Sequence, residues 1–333
     1  MDNGVLSAIG NTPLVRLSRL FKESNLELYA KLESLNPGGS MKDRPAINIL
    51  TRALETGIIG PKSVVVESSS GNMGIGLAQA CSYLDLDFVC VVDPKTTPQN
   101  INLLRAYGAK VDMVREPDPV TGEYLQARIN RVKYLVNTID RAFWPDQYSN
   151  PYNYLAHHQT IHEIVTTLGD RIDYLFCAVS TCGTLRGCAE YVRQHNMKTK
   201  VLAVDAVGSV IFGGARKKRL IPGHGAAVRP QIYQDNLAYD SIHVEDLDCV
   251  IGCRMLARQE AILAGGSSGA VVMALNQARE SIEEGAVCVL ILADRGERYL
   301  DTIYSDEWVS EHFGDVSYLW EEAETPLALA QLC

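Results

Sequence analysis

The sequence predicts an α/β protein built on two mainly parallel sheets, and three observations carry that prediction. Short apolar runs alternate with helix-period segments between residues 64 and 114, the same alternation resumes between 174 and 292, and a proline-bearing interruption at 140–151 parts the two series. Alternation of this kind marks βαβ units, because the chain must cross back over the sheet before the next parallel strand can form.

Taken in order, Val64-Val65-Val66 leads into a helix near 73–84, and Phe88-Val89-Cys90-Val91-Val92 leads into another near 97–107. Val111-Asp112-Met113-Val114 gives the next strand. On a helix near 122–136, Leu125, Ile129, Val132, Leu135 and Val136 share one apolar arc, and Arg128 points into it. Trp144-Pro145-Asp146-Gln147-Tyr148-Ser149-Asn150-Pro151 then breaks helical periodicity and places a seam near 140–150. In the second series, Tyr174-Leu175-Phe176-Cys177-Ala178-Val179 enters a helix near 184–195, Val201-Leu202-Ala203-Val204 follows, and Cys288-Val289-Leu290-Ile291-Leu292 closes it. After about residue 305, a stretch with Trp308, Phe313, Trp320 and Glu321-Glu322 loses clear periodicity and reads as a surface or dimer-packing extension.

A chain of 333 residues with 47% hydrophobic content is long enough for two modest domains around separate cores. The net charge of −9 excludes the dense positive patch a polyanion needs. Met1-Asp2-Asn3-Gly4 carries no basic leader, and no apolar run approaches a membrane span, so a cytoplasmic protein is expected. Nine cysteines at 81, 90, 177, 182, 188, 249, 253, 288 and 333 form no CxxC pair. Cys90, Cys177 and Cys288 sit in apolar runs and read as reduced core thiols. Cys182 lies in a glycine-containing loop where it can be exposed, with no base or ligand set beside it. His157, His158 and His162 include an i, i+4 pair but no third ligand, so they read as polar surface histidines and no metal is expected. His224, between Gly223 and Gly225, reads as a loop histidine that could reach a leaving phosphate.

Four segments carry chemistry. Asn36-Pro37-Gly38-Gly39-Ser40-Met41-Lys42-Asp43-Arg44-Pro45 is a flexible turn opening into a helix, able to present the Lys42 amine to an aldehyde; a solvated lysine after a cap is the alternative. Glu67-Ser68-Ser69-Ser70-Gly71-Asn72-Met73-Gly74 joins a strand to a helix and offers N–H groups and hydroxyls to a carboxylate, or is a serine-rich cap. Ser180-Thr181-Cys182-Gly183-Thr184, again between strand and helix, suits a phosphate, though neither a Walker loop nor a GxGxxG fingerprint is present, and a plain turn is the alternative. In Ala264-Gly265-Gly266-Ser267-Ser268-Gly269-Ala270, a hydroxyl can meet a neutral heteroaromatic nitrogen or cap a helix.

The order and content of these segments resemble the fold-type II pyridoxal-phosphate (PLP) family, which includes cysteine synthases and cystathionine β-synthases. The resemblance spans roughly 8–305 and extends to Gly10-Asn11-Thr12-Pro13-Leu14, Asp146-Gln147-Tyr148 and Asp294-Arg295-Gly296-Glu297-Arg298-Tyr299. It implies two three-layer α/β domains of the tryptophan synthase β type. Residues 38–143 would form a smaller mobile domain with the substrate carboxylate loop, 1–37 and 144–305 a larger cofactor-binding domain, and 306–333 a C-terminal extension.

The same resemblance makes Lys42 the imine lysine, Asn72 the partner of the cofactor's 3′ oxygen and Ser267 the partner of the pyridine nitrogen. Thr181, Cys182, Gly183 and Thr184 become the phosphate cradle, with Ser180 beside it. Ser69, Ser70, Gly71, Met73 and Gln147 fall where the family holds the substrate α-carboxylate. Met73 departs from the family's usual threonine, and Cys182 from its usual glycine.

Within the family, Val92-Asp93-Pro94-Lys95, Asp205-Ala206-Val207-Gly208-Ser209-Val210-Ile211-Phe212-Gly213 and Asp294-Arg295-Gly296 are most similar to the N-(2-amino-2-carboxyethyl)-L-glutamate synthases of siderophore and 2,3-diaminopropionate pathways. That implies O-phospho-L-serine as first substrate, an α-aminoacrylate, L-glutamate as acceptor, phosphate as leaving group and a homodimer. Arg128 on its apolar arc is the candidate cation for glutamate, with an internal Asp or Glu pair as the alternative. Tyr148 and Ser180 are further candidates by position. Sulfur acceptors, as in a cysteine or cystathionine synthase, and a catalytically silent PLP-fold partner protein are the competing readings.

Overall fold

The computed structural model describes residues 4–321. In chain order these form β1 (Leu14–Leu17), β2 (Glu27–Leu32), α1 (Asp43–Glu55), β3 (Val64–Ser68), α2 (Asn72–Tyr83), β4 (Asp87–Val92), α3 (Pro98–Ala106), β5 (Lys110–Met113), α4 (Tyr124–Thr138) and β6 (Ala142–Phe143). There follow α5 (Pro151–Leu168), β7 (Tyr174–Ala178), α6 (Gly183–Gln194), β8 (Lys200–Ala206), β9 (Asp240–Val244), α7 (Asp246–Glu260), α8 (Gly266–Ala278), β10 (Val287–Leu292), α9 (Asp306–Phe313) and α10 (Tyr318–Glu321).

The strands make a four-stranded sheet of order β5-β4-β3-β6, parallel throughout, and a six-stranded sheet of order β1-β2-β10-β7-β8-β9 in which β1 runs antiparallel. The α/β class expected from the alternating pattern is therefore present, with β6 a two-residue strand inside the predicted seam. Every residue of β10 is buried, as a central parallel strand covered on both faces requires. Each large side chain there contributes about 1.5–3 kcal/mol by leaving water.

Small residues set the helix spacing on this sheet. A Cβ at Gly269 would lie 2.0 Å from the Cys249 carbonyl oxygen, so α7 and α8 meet backbone to backbone, and Gly269→Ala would force them apart. The stretch expected to lack periodicity beyond 305 is instead helical: Ser305 caps α9, Val309 is buried, and the Arg254 guanidinium stacks 4.2 Å from the ring of buried Trp320. Met1-Asp2-Asn3, Glu322 and Cys333 lie outside the described residues. The other eight cysteines are free and buried, Cys182 included, which corrects its expected exposure. Among the described residues no helix is long and apolar enough to cross a membrane.

Candidate active site

Hydrogen bonds gather the four predicted segments into one place. Met41 N donates to Ala293 O (2.8 Å) and Arg295 N to Gly39 O (3.2 Å), pairing the segment before Lys42 with the one after β10. Ala293 N donates to Ser268 Oγ (3.0 Å) at the start of α8. Asn72 Nδ2 donates to Asp294 Oδ2 (2.7 Å), and Thr184 Oγ1 lies 3.9 Å from Met41 Sδ. The turns after β3, β7 and β10 thus converge on Lys42, at the carboxyl ends of parallel strands where open α/β sheets bind ligands.

Lys42 is partly buried at the N-cap of α1. Burial lowers its amine pKa, while the charges of Asp294 and Glu33 pull it part of the way back. Its helix is held by a buried ionic network that sequence pattern does not reveal. Arg44 Nε donates to Glu33 Oε2 (2.6 Å), Arg44 Nη2 to Glu163 Oε2 (2.8 Å), and Lys31 Nζ to the same Glu163 oxygen (2.6 Å). These bonds lock the first turn of α1 between β2 and α5. From the other side α2 packs directly on the lysine's backbone, since a Cβ at Gly76 would lie 3.2 Å from Lys42 O.

The turn into α2 leaves main-chain N–H groups unspent at the start of the helix. Ser69 Oγ accepts from Gly74 N (2.9 Å), and Asn100 Nδ2 donates to Ser70 O (3.0 Å). With Gly74 N and Ile75 N both occupied, Asn72 and Met73 supply the remaining first-turn N–H groups, while Gly71 is the N-cap. The Met73 side chain is buried in the core around the smaller sheet, so only its main chain can serve a substrate. Gln147, also buried, donates its N–H to Glu67 Oε2 (3.3 Å) and accepts at its carbonyl from Asn153 Nδ2 (2.6 Å). The same Asn153 nitrogen reaches Thr181 Oγ1 (3.4 Å). Asn153, which no motif singled out, thereby couples the carboxylate side of the site to the 181–184 turn.

In that turn Cys182 adopts a left-handed conformation (φ 64°) and opens α6. Successive N–H groups in such a nest point inward at the positive end of the helix, which suits a phosphate. Gly183 cannot carry a side chain, because its Cβ would sit 2.3 Å from Asn153 Oδ1. Across residues 5–294 the chain matches the family model described as pyridoxal-phosphate dependent enzyme.

The chain belongs to the pyridoxal-phosphate dependent enzymes.

Solved structures of that family agree. An O-ureido-L-serine synthase is 31% identical, covers 93% of this chain and 99% of its own, and superposes with a TM-score of 0.83. An O-acetylserine dependent cystathionine β-synthase from Helicobacter pylori is 30% identical over 90% and 98%, with a TM-score of 0.84. A hydrogen sulfide-producing enzyme from Fusobacterium nucleatum is 32% identical over 90% and 100%, with a TM-score of 0.83.

The residues present fit PLP. Asn72 spends one Nδ2 hydrogen on Asp294 and its Oδ1 on Arg298, which leaves its second amide hydrogen to donate. Of the two serines opening α8, Ser268 is fully buried and occupied by Ala293, while Ser267 is only partly buried. Thr184 Oγ1 is steadied by His157 Nε2 (3.4 Å). His157 is itself 1% exposed, which corrects its reading as a surface histidine; burial and the nearby cations Lys42 and Arg44 keep its ring neutral. His162 is exposed as expected, and among the described residues no cluster of His, Cys, Asp or Glu is arranged to hold a metal.

Around this centre stand the candidate acceptor residues. Arg128 Nε lies 3.2 Å from Asp93 Oδ2, the internal pair foreseen as the alternative, yet among the described residues neither of its buried Nε and Nη1 atoms has a hydrogen-bond acceptor. Tyr148 holds Ile232 N at its carbonyl, and burial raises its phenol pKa. Glu67, 2% exposed, takes bonds from Trp144, Ser68 and Gln147, but burial outweighs them and lifts its pKa to about 7. His224 lies in a loop as expected and is 1% exposed.

Proposed function

We propose that the chain catalyses β-replacement on O-phospho-L-serine with L-glutamate, giving N-(2-amino-2-carboxyethyl)-L-glutamate and phosphate. The Cβ–O bond of phosphoserine breaks with its electrons leaving on phosphate, a Cβ–N bond to the glutamate amine forms, and that amine gives up a proton. PLP, when bound, supplies the electron sink that allows Cα to lose its proton and Cβ its substituent. Everything else falls to this chain. The 69–73 turn and Gln147 receive the α-carboxylate. Lys42 Nζ, its pKa lowered by burial, is suited to take and return the Cα proton.

The observation that carries the choice of acceptor is Arg128. A guanidinium with two buried nitrogens lacking acceptors is costly to leave unmet, and a carboxylate-bearing acceptor satisfies them with charge-assisted bonds. Hydrosulfide, a small monoanion, would not need such a group. The assay is cofactor-loaded protein with O-phospho-L-serine and, in turn, L-glutamate, sulfide and homocysteine, with products identified by mass. Glutamate is expected to give the carbon–nitrogen adduct. Sulfur products alone would replace this reading with a cysteine- or cystathionine-synthase activity, and no turnover with any acceptor would favour a silent PLP-fold partner.

A further inference from the structure

We propose that Arg219 and His224 form a second anion subsite, which holds the distal carboxylate of a dicarboxylic amino-acid acceptor while Arg128 holds its α-carboxylate. This rests on the reading that an amino acid adds at Cβ. Both residues lie in the segment 207–239, which has no helix or strand and is stitched to the site at several points. Gly225 N donates to Val179 O (2.7 Å), next to Ser180, and Ile232 N to Tyr148 O (3.1 Å). Irregular segments of this length inside a compact domain are commonly functional.

The groups themselves ask for a ligand. Neither ring nitrogen of buried His224 has a partner among the described residues. Arg219 spends Nη1 on His224 O (2.7 Å), but its buried Nε has no partner among the described residues. Asp205 and Asp246 favour a charged Arg219, yet neither appears among its hydrogen-bond partners. Burial and the Arg219 charge hold the His224 pKa down at about 3, so the ring is neutral and carries one N–H donor. An oxyanion accepting from both residues removes two buried unmet donors at once.

The segment that carries the subsite also touches the elements around Arg128. Tyr148 stands in the field of both Arg128 and Arg219. Arg216, three residues before Arg219, pairs with Glu123 at the N-cap of α4, the helix that carries Arg128. The irregular segment and α4 are therefore tied together, and each carries one of the two cations.

The test is acceptor selectivity. L-Glutamate and L-2-aminobutyrate share an amine and an α-carboxylate, but only glutamate has a distal carboxylate. Arg219→Gln is expected to lower the ratio of kcat/KM for glutamate over aminobutyrate at least tenfold, Arg219→Lys to recover part of it, and His224→Leu to lower it less. Calorimetry on the cofactor-loaded protein should show glutarate binding that weakens at least tenfold in Arg219→Gln, with butyrate binding changed much less. Equal loss for both acceptors, or glutarate binding independent of Arg219, overturns the subsite. A loss confined to phosphate release from O-phospho-L-serine, and absent with O-acetyl-L-serine, assigns the anion to the donor and also overturns it. If wild type transfers to no amine but binds glutarate through Arg219, the proposed reaction fails while the subsite stands.

Discussion

Replacing Gly183 by alanine should uncouple the cofactor cradle from the substrate side of the site. The added Cβ would fall 2.3 Å from Asn153 Oδ1 and 2.9 Å from its Cγ, and Asn153 is 1% exposed and held by Gln147 and Thr181. Overpacking of this kind costs about 1–3 kcal/mol. If Asn153 yields, its Nδ2 leaves the buried Gln147 carbonyl (2.6 Å) and Thr181 Oγ1 (3.4 Å), and a stranded buried carbonyl costs about 1–3 kcal/mol more. Part of that strain is relieved by relaxation, so we expect a stability loss of about 2–4 kcal/mol. PLP affinity should fall at least tenfold, equivalent to about 1.4 kcal/mol. Urea unfolding of the apo-protein and absorbance titration with PLP measure the two effects. Gly60→Ala, where an added Cβ meets nothing within 4 Å, is the control. A Gly183→Ala protein that unfolds like wild type and binds PLP within twofold of it would show that Asn153 does not link the two halves of the site.

Lys42→Ala should abolish borohydride-fixed attachment of PLP while leaving noncovalent binding measurable; a fixed adduct elsewhere on the chain, found by peptide mapping, would remove Lys42 from its role. Arg128→Ala should weaken the acceptor half-reaction with glutamate by about 1.5–3 kcal/mol and spare phosphate release, as separated by rapid mixing; an unchanged rate with glutamate returns Arg128 to a purely internal pair with Asp93. Glu67 has a folded pKa of about 7, raised from an ordinary 4.5 by burial, so the folded state holds a proton the unfolded chain has lost between those values. Glu67's contribution to stability should therefore fall by about 3 kcal/mol as pH rises through that window, read as the difference in pH slope of the urea midpoint between wild type and Glu67→Gln, in which the shared contributions of Asp43, with its pKa of about 7, and of buried His224, at about 3 and acting in the opposite sense, cancel. Cys182→Gly should stabilise the protein by about 1 kcal/mol, because glycine takes φ 64° without the strain a side chain brings; a loss of stability would mean the buried thiol's packing outweighs that strain.

The parts of the site that were legible in the sequence are those whose residue types are dictated within a few positions. A strand that ends in Ser-Ser-Gly-Asn or Thr-Cys-Gly-Thr before a helix presents N–H groups whatever the rest of the chain does, and the Lys42 turn is equally local. What was illegible depends on distant partners. Arg44, Glu33, Lys31 and Glu163 read as scattered charges, and only the packing of α1 between β2 and α5 turns them into one buried network. His157 read as a surface histidine because the i, i+4 histidine pair lacked a third metal ligand and nothing nearby in the sequence told of a buried partner. The signal against that lay on another helix: Gly187 sits inside α6, and a Cβ there would come 2.7 Å from His157 Cβ and 2.2 Å from Tyr154 O. A glycine that weakens its own helix by about 1 kcal/mol is retained where a second helix must press against it. Arg128 falls between the two cases. Its place on an apolar arc showed that it needed an anion, but not that Asp93, at the end of β4, would stand beside it. Because that pairing leaves two of its buried nitrogens without acceptors among the described residues, the identity of the partner does not close the question of a ligand, and the same reasoning applied to Arg219 and His224 extends the proposed site to the 207–239 segment.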